Sequence, residues 1–228
     1  MGIRTILWDV DGTLLDFKAA EKAAIRSLFG RFGLGECTDE MIGRYSSLND
    51  AYWKRLERKE IGKRQVLVGR FEEFFAREGL DPALAERFND AFQLELGETI
   101  VYRDDSHAIV ESLRGTVLQY VVSNGTVAAQ TKKLDRSGLG RLMDGVFLSE
   151  ALGVEKPDPA FFEKVFERIG PADRRETLIV GDSLTSDIQG GIGAGIRTCW
   201  YNPAGSPVPD GMRIDHVVAD LHEVPALL

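Results

Sequence analysis

Asp9 and Asp11 are the first residues of the chain arranged for chemistry: two carboxylates, one residue apart, ending the apolar run IRTILW at residues 3–8. Side chains alternate along an extended chain, so both can lean toward the same side. Two close carboxylates repel and need a metal ion, a shared proton or a cationic neighbour. Three more polar clusters follow in order: Ser123-Asn124-Gly125, then Lys156 before Pro157, then Gly181-Asp182-Ser183 with Asp187 beyond it. The second cluster offers a hydroxyl, an amide and a glycine that lets backbone N–H groups approach an anion. Each cluster has a plain alternative as a solvated turn, a surface lysine or a helix cap. Together they offer a nucleophile, phosphate donors, a cation and a metal carboxylate. The four aspartates carry four negative charges against the one of Lys156. A phosphate dianion is repelled from such a cluster unless a divalent cation with oxygen ligands offsets the charge, which suits Mg²⁺ and predicts that chelation abolishes activity.

These clusters need a scaffold that brings four strand ends together. Each follows or lies near a short apolar run: residues 3–8, 116–123, 145–149 and 177–180. From about residue 99 such runs alternate with helical patterns at 104–114, 126–136, 158–169 and one running to Ala194. Two further strands are expected at 196–201 and 215–218. This alternation predicts an α/β fold, a Rossmann-like parallel sheet whose ligands bind beyond the carboxyl ends of the strands. Between Leu15 and Leu96 only helical patterns occur, beginning near Asp16 and carrying apolar residues at three- and four-residue spacings. The expected organisation is a core of residues 1–15 and 99–228 interrupted by an all-helical insert, residues 16–98. Gly190, Gly191, Gly193 and Gly195 lack the lysine of a P-loop and read as packing and capping positions.

The bulk properties narrow the function. With 228 residues, 43% of them hydrophobic, the chain can bury a sizeable core. A net charge of −8 gives no general attraction to nucleic acid. Cys37 and Cys199 form neither a disulfide framework nor a zinc spacing, which fits a cytoplasmic location. There is no signal peptide pattern and no apolar stretch of membrane-spanning length. Three scattered histidines argue against a His-based site. No segment reads as a coiled coil or dimer patch, and the oligomeric state stays open.

The motifs DVDGT at 9–13, SNG at 123–125, Lys156-Pro157 and GDSLTSD at 181–187 resemble, in this order and spacing, the haloacid dehalogenase superfamily of phosphatases. The helical insert resembles that superfamily's cap of the first type. The stretch VGDSLTSDIQGGIGAGIRTCWYN, with the segments around 49–53 and 70–72, resembles the bacterial pyrimidine 5′-nucleotidases directed at noncanonical nucleotides. The resemblance implies that Asp9 is the nucleophile and Asp11 the general acid and then base. It implies that Ser123 and the Asn124-Gly125 backbone bind phosphoryl oxygens while Lys156 steadies the shared charge. It gives Mg²⁺ to Asp9, the Asp11 main-chain oxygen and Asp182, with Asp187 partnering a metal-bound water or Lys156. Thr13 is expected to help position Asp11. Specificity is expected in the insert, from Trp53 by stacking on a base and from Asn49 and Arg70 by contacting a sugar or base.

The function expected is thus a Mg²⁺-dependent phosphatase of small phosphate monoesters, foremost nucleoside 5′-monophosphates, acting through an aspartyl-phosphate. The alternatives on the same core are a phosphoglycolate or sugar phosphatase and a phosphomutase. A non-catalytic phospho-Asp switch would gain nothing from Asp11, and a dehalogenase would not need it.

Overall fold

The computed structural model describes residues 2–170 and 173–228. The chain divides into two compact units, Met1–Asp16 with Ile100–Leu228 and Phe17–Thr99.

The first unit holds a six-stranded, wholly parallel sheet of β1 (Thr5–Trp8), β2 (Leu118–Ser123), β3 (Gly145–Leu148), β4 (Thr177–Gly181), β5 (Arg197–Tyr201) and β6 (His216–Val218). Their spatial order is β3-β2-β1-β4-β5-β6, the Rossmann-like winding. The order reverses between β1 and β4, which opens a crevice at their carboxyl ends, and Asp9 and Asp182 follow those two strands.

Both faces of this sheet are buried, and the two-residue period of the strands sorts the side chains between them. Leu7 aligns with Tyr120 and Ile179. These three pack with Phe161, Phe162 and Val165 of a helix at Pro159–Ile169. One residue away in register, Ile6, Trp8, Val121, Leu178 and Val180 join Ile109, Val110 and Leu134 in the opposite core. Continuous burial explains why the strands read as apolar runs rather than alternating patterns.

In chain order the helices are α1 (Phe17–Phe32), α2 (Asp39–Glu57), α3 (Arg70–Arg77), α4 (Ala85–Glu95), α5 (Ser106–Ser112), α6 (Val127–Ser137), α7 (Ser149–Leu152), α8 (Pro159–Ile169) and α9 (Gln189–Ala194). Two differ from the sequence reading in a common way. A π-helical turn, Leu184–Ile188, precedes α9, and another, Gln65–Gly69, precedes α3. An apolar repeat of three to four residues cannot register one wider turn, so each had read as plain helix. Helix α5 starts at Ser106 rather than at residue 104, because Asp104 and Asp105 adopt left-handed backbone (φ 45° and 54°).

The second unit contains α1 to α4 around an aromatic interior. Tyr45 stacks on Phe71 with centroids 5.0 Å apart, and Phe88 packs 5.0 Å from Phe75. Thr38 caps α2 by accepting from the Met41 N–H. No helix of the described residues is long and apolar enough to cross a membrane.

The glycines of α9 have distinct duties. A Cβ on Gly191 would stand 2.6 Å from Ile179 Cγ2, one on Gly190 2.7 Å from Phe162 Cε2, and one on Gly193 would meet nothing within 4 Å. Gly195 ends the helix with φ +69°. Gly191→Ala is therefore expected to lower stability by about 1–3 kcal/mol through overpacking. Gly193→Ala is expected to be neutral or to gain up to about 1 kcal/mol from helix propensity. Denaturant unfolding of the two variants checks the pair.

Candidate active site

The loop after β1 is shaped by backbone hydrogen bonds. Asp9 N–H still donates to Val180 O (2.9 Å), holding the residue against β4. The N–H groups of Leu14 and Leu15 both turn back to Val10 O, and Gly12 N–H donates to Leu15 O at 2.8 Å. Gly12 takes φ +97°, and a Cβ there would lie 2.5 Å from Asp182 Oδ2. Glycine is needed on both counts, since left-handed backbone strains other residues. Gly12→Ala is expected to misplace the loop and Asp182 together and cost about 10²-fold in turnover, read as kcat.

Lys156 is the hub of the buried charges. Its Nζ donates to Asp9 Oδ1 (2.9 Å), Asp187 Oδ1 (2.6 Å) and Val122 O (2.7 Å). All three ammonium hydrogens are thereby used. Burial alone would lower its pKa, but the carboxylates of Asp187 and Asp9 outweigh that and hold the ammonium above the ordinary lysine range. Asp187 Oδ2 also accepts from the Ser183 N–H at 3.1 Å. Of the two partners open to Asp187 from the sequence, the structure shows Lys156.

Several expected positions have other duties. The Asn124 side chain grips the backbone of Lys156, donating from Nδ2 to its carbonyl and accepting from its N–H, both at 2.8 Å. The amide side chain thus places the lysine. Gly125 N–H donates to Ser123 Oγ at 3.0 Å, so it already has a partner. Thr13 Oγ lies 3.3 Å from both Asp9 Oδ2 and Asp182 Oδ1, between these two carboxylates rather than at the Asp11 side chain. Its position follows from the loop folding back over β1 toward β4, which spacing along the chain does not reveal.

Asp11 has two partners absent from the sequence reading. Lys133 Nζ donates to its Oδ1 at 2.6 Å and Gln130 Nε2 to its Oδ2 at 2.5 Å. The charge count at these strand ends therefore sets Asp9, Asp11, Asp182 and Asp187 against two lysines, Lys133 and Lys156, rather than one. A signal was present: the buried residues of α6 are Ala129, Gln130, Lys133, Leu134 and Ser137. A glutamine and a lysine stand where a 3.6-residue period calls for apolar side chains.

In the helical unit, Asn49 and Arg70 are not solvated helix residues. They are buried. Asn49 Nδ2 donates to Glu21 Oε1 (3.1 Å) and Arg70 Nη1 to Asn49 Oδ1 (2.5 Å), while the guanidinium lies 4.9 Å from the centre of the Phe71 ring. The guanidinium donates, the amide oxygen accepts, and the cost of burying either alone accounts for the pairing. As sequence candidates for sugar or base contact they are corrected to this extent: the Asn49 amide and both terminal nitrogens of Arg70 are engaged within their own unit, while Arg70 Nε is buried without a hydrogen-bond partner. Trp53 remains half-exposed, with Lys63 Nζ 5.0 Å from the centre of its ring.

The acids fit a hard cation. Carboxylate oxygens of Asp9, Asp182 and Asp187 lie within 4.8 Å of one another. Asp187 is engaged by Lys156 and Ser183 and Asp9 Oδ1 by Lys156, which leaves Asp9 Oδ2 and Asp182 Oδ1 sharing the single hydroxyl hydrogen of Thr13. One hydrogen cannot serve both. Burial pushes the Asp9 carboxyl up to about 7 against the pull of Lys156, and Asp187 and Asp11 add repulsion. Burial of its carboxyl by surrounding protein, then Asp9 and Asp187, also raise the Asp182 pKa well above the carboxylate range, although the residue keeps an exposed surface through which water screens the effect. An all-oxygen donor set of this charge matches Mg²⁺ rather than a thiolate- or imidazole-seeking metal.

A Rossmann-like sheet with paired aspartates after β1, a lysine bridge and an acidic β4 end defines a hydrolase class, and the chain belongs to it: the haloacid dehalogenase-like hydrolase family matches residues 3–195. Among individual proteins, the HAD-hydrolase YfnB of Bacillus subtilis is 39% identical over 210 residues, covering 91% of this chain and 88% of that one. A crystal structure of YfnB bound to magnesium superimposes with a TM-score of 0.91 at 34% identity, covering 100% of this chain and 99% of that one. The pyrimidine 5′-nucleotidase PynA of Streptococcus pneumoniae is 39% identical over 89% of this chain and 85% of its own length. The pyrimidine 5′-nucleotidase YjjG of Escherichia coli is 31% identical over 98% and 96%.

Proposed function

We propose that this chain is a Mg²⁺-dependent phosphatase of nucleoside 5′-monophosphates, with pyrimidine nucleotides preferred, working through an aspartyl-phosphate on Asp9. The observation that carries the reading is the division of labour between two carboxylates two residues apart. Asp9 is buried against Lys156, whereas Asp11 is partly open and held by a separate pair of donors. Environments that differ in this way let one carboxylate attack while the other handles protons. The nucleotide preference rests on the similarity to PynA and YjjG.

In this reading an Asp9 carboxylate oxygen attacks phosphorus in line, the bond to the leaving oxygen breaks, and Asp11 gives that oxygen a proton. Water then attacks the aspartyl-phosphate, Asp11 takes the water's proton, and Asp9 is regenerated with release of phosphate. Ser123 and the Asn124-Gly125 segment bind phosphoryl oxygens, the Gly125 N–H exchanging its Ser123 Oγ partner for one of them, and Lys156 holds Asp9 and steadies its charge. The Asp9 and Asp182 carboxylates and the main-chain oxygen of Asp11 would hold Mg²⁺. When bound, it supplies positive charge that offsets both the carboxylates and the substrate phosphate. Asp187 positions Lys156. Leaving-group selection belongs to the helical unit, residues 17–99, with Trp53 the candidate for stacking on a base.

The test is phosphate release from a panel of pyrimidine and purine nucleoside monophosphates, phosphoglycolate and hexose phosphates. Turnover is expected to be highest on pyrimidine monophosphates, and highest on another ester would displace the nucleotide assignment. Excess chelator is expected to abolish turnover and Mg²⁺ to restore it. Asp182→Asn is expected to raise the Mg²⁺ concentration for half-maximal rate by about 100-fold or more, above the usual effect of an outer-shell change. Full activity in chelator would refute the metal requirement.

A further inference from the structure

Helix α6 buries two polar side chains that the reaction scheme above leaves unused. Gln130 is fully buried and Lys133 is 2% exposed, yet their donors converge on one carboxylate, each taking a different oxygen of Asp11. Burying an ammonium and an amide is costly unless each meets a partner. Here both side chains donate to the same residue. Gln130 Oε1 is buried without any hydrogen-bond partner. The amide is therefore not satisfied by its surroundings, and Asp11 sets its orientation, since turning it over would press oxygen against oxygen. A buried polar atom left in this state calls for a functional reason.

The backbone is built to allow the arrangement. Positions 130 and 133 lie one turn apart on the same face of α6. Thr126 Oγ accepts from Ala129 N–H at 3.3 Å and anchors the start of that helix. A Cβ on Gly125 would lie 2.3 Å from Gln130 Nε2. Gly125 thus leaves the space that the Gln130 side chain occupies on its way to Asp11, a role distinct from the approach of an anion to its N–H.

We propose that Gln130 and Lys133 are positioning residues for Asp11, gripping both its oxygens so that the carboxyl is aimed at the leaving oxygen of the substrate. The proposal rests on Asp11 being the proton donor. A carboxylate has about four lone-pair sites, so two donors leave room for the leaving oxygen. As the Asp9 oxygen bonds to phosphorus and the ester P–O bond breaks, the proton of Asp11 passes to the departing oxygen. The electron pair it leaves behind stays on a carboxylate already faced by Lys133 and Gln130. An ester whose leaving group is stable as an anion needs no such proton, and one that departs as an alkoxide does. The grip should therefore matter for one kind of ester and hardly for the other.

The experiment compares kcat/KM with Mg²⁺ for uridine 5′-monophosphate and 4-nitrophenyl phosphate in wild type, Lys133→Met, Gln130→Met and Asp11→Asn. Lys133→Met and Gln130→Met are each expected to lose about 10²-fold on the nucleotide and less than about fivefold on the nitrophenyl ester. Added to Asp11→Asn, neither should cause further loss on the nucleotide, the mark of action through Asp11. Equal losses on the two esters, no loss on the nucleotide, or additive losses in the Asp11→Asn background would overturn the proposal. Circular dichroism checks folding, and if Lys133→Met is unfolded, Gln130→Met, which removes no charge, decides alone. Wild-type protein inert toward both esters would refute the phosphatase reading and the proposal with it. An Asp11→Asn enzyme that loses equally on both esters would refute the donor role specifically.

Discussion

Asp9→Asn is expected to lower phosphate release from the best substrate by about 10⁴-fold or more, the scale seen when a covalent nucleophile is removed. Asparagine keeps the size of the side chain and an oxygen for the Thr13 hydroxyl, which lies 3.3 Å from Asp9 Oδ2. It removes the negative charge and the nucleophilic oxygen. The substitution also removes a charge that burial disfavours, pushing the Asp9 carboxyl up to about 7, with repulsion from Asp187 and Asp11 adding to it. Folding should accordingly survive, and thermal unfolding of the variant should match or exceed that of the wild type without metal. A folded Asp9→Asn protein retaining more than about one-hundredth of wild-type turnover would exclude covalent catalysis at this position.

Lys156→Met is expected to be the most damaging single change to stability. Lys156, at 1% exposure, lies between Asp9 and Asp187, the latter also 1% exposed. Methionine matches its length but leaves two carboxylates facing each other without a cation. Removing one partner of a buried charge pair costs about 3–5 kcal/mol, because the remaining charge stays desolvated. Lys156→Met combined with Asp187→Asn should recover part of this loss, since the second change removes one of the stranded charges. Urea unfolding of the single and double variants provides the comparison. If the double variant is no more stable than Lys156→Met, the charge at Asp187 is not what the lysine stabilises. Activity should be lost in both, because Asp9 loses its Lys156 hydrogen bond at 2.9 Å.

The lysine also shows how the site is assembled from local chemistry at distant positions. Asn124 lies 32 residues from Lys156 and holds its backbone from both sides. Asp187 reaches the ammonium from the π-helical turn after β4. That wider turn follows directly on Ser183, whose side chain caps it by accepting from Ser186 N–H at 3.2 Å. Rare π-turns are frequent at functional sites, where they re-aim a side chain that a regular helix would place elsewhere.

Much of the architecture was legible in the amino-acid order. Parallel strands buried on both faces read as unbroken apolar runs, and IRTILW, TVLQYVVS and TLIV each mark one. Polar residues after these runs mark the ligand end of the sheet, because the carboxyl ends of parallel strands open into the crevice. The paired aspartates and Asp182 were visible for the same reason, as carboxylates directly after apolar runs, and Lys156 as a lysine held before Pro157 and a helix start. Gly190, Gly191 and Gly195 were recognisable as packing and capping residues from their place in and after a helical repeat.

What only the tertiary structure decided is which charges face each other. One-dimensional spacing counts a carboxylate but cannot weigh it against a cation brought from another helix, so the sequence credited the site with Lys156 alone. Folding α6 beside the β1 loop adds Lys133 and Gln130, 122 and 119 residues from Asp11. Packing elsewhere in the chain likewise places Thr13 between Asp9 and Asp182 and draws Asn49 and Arg70 together inside their helical unit. Patterns of burial are set by local periodicity and survive translation into sequence. Hydrogen bonds and ion pairs act over a few ångströms between residues far apart in the chain, and they exist only once the packing has placed them.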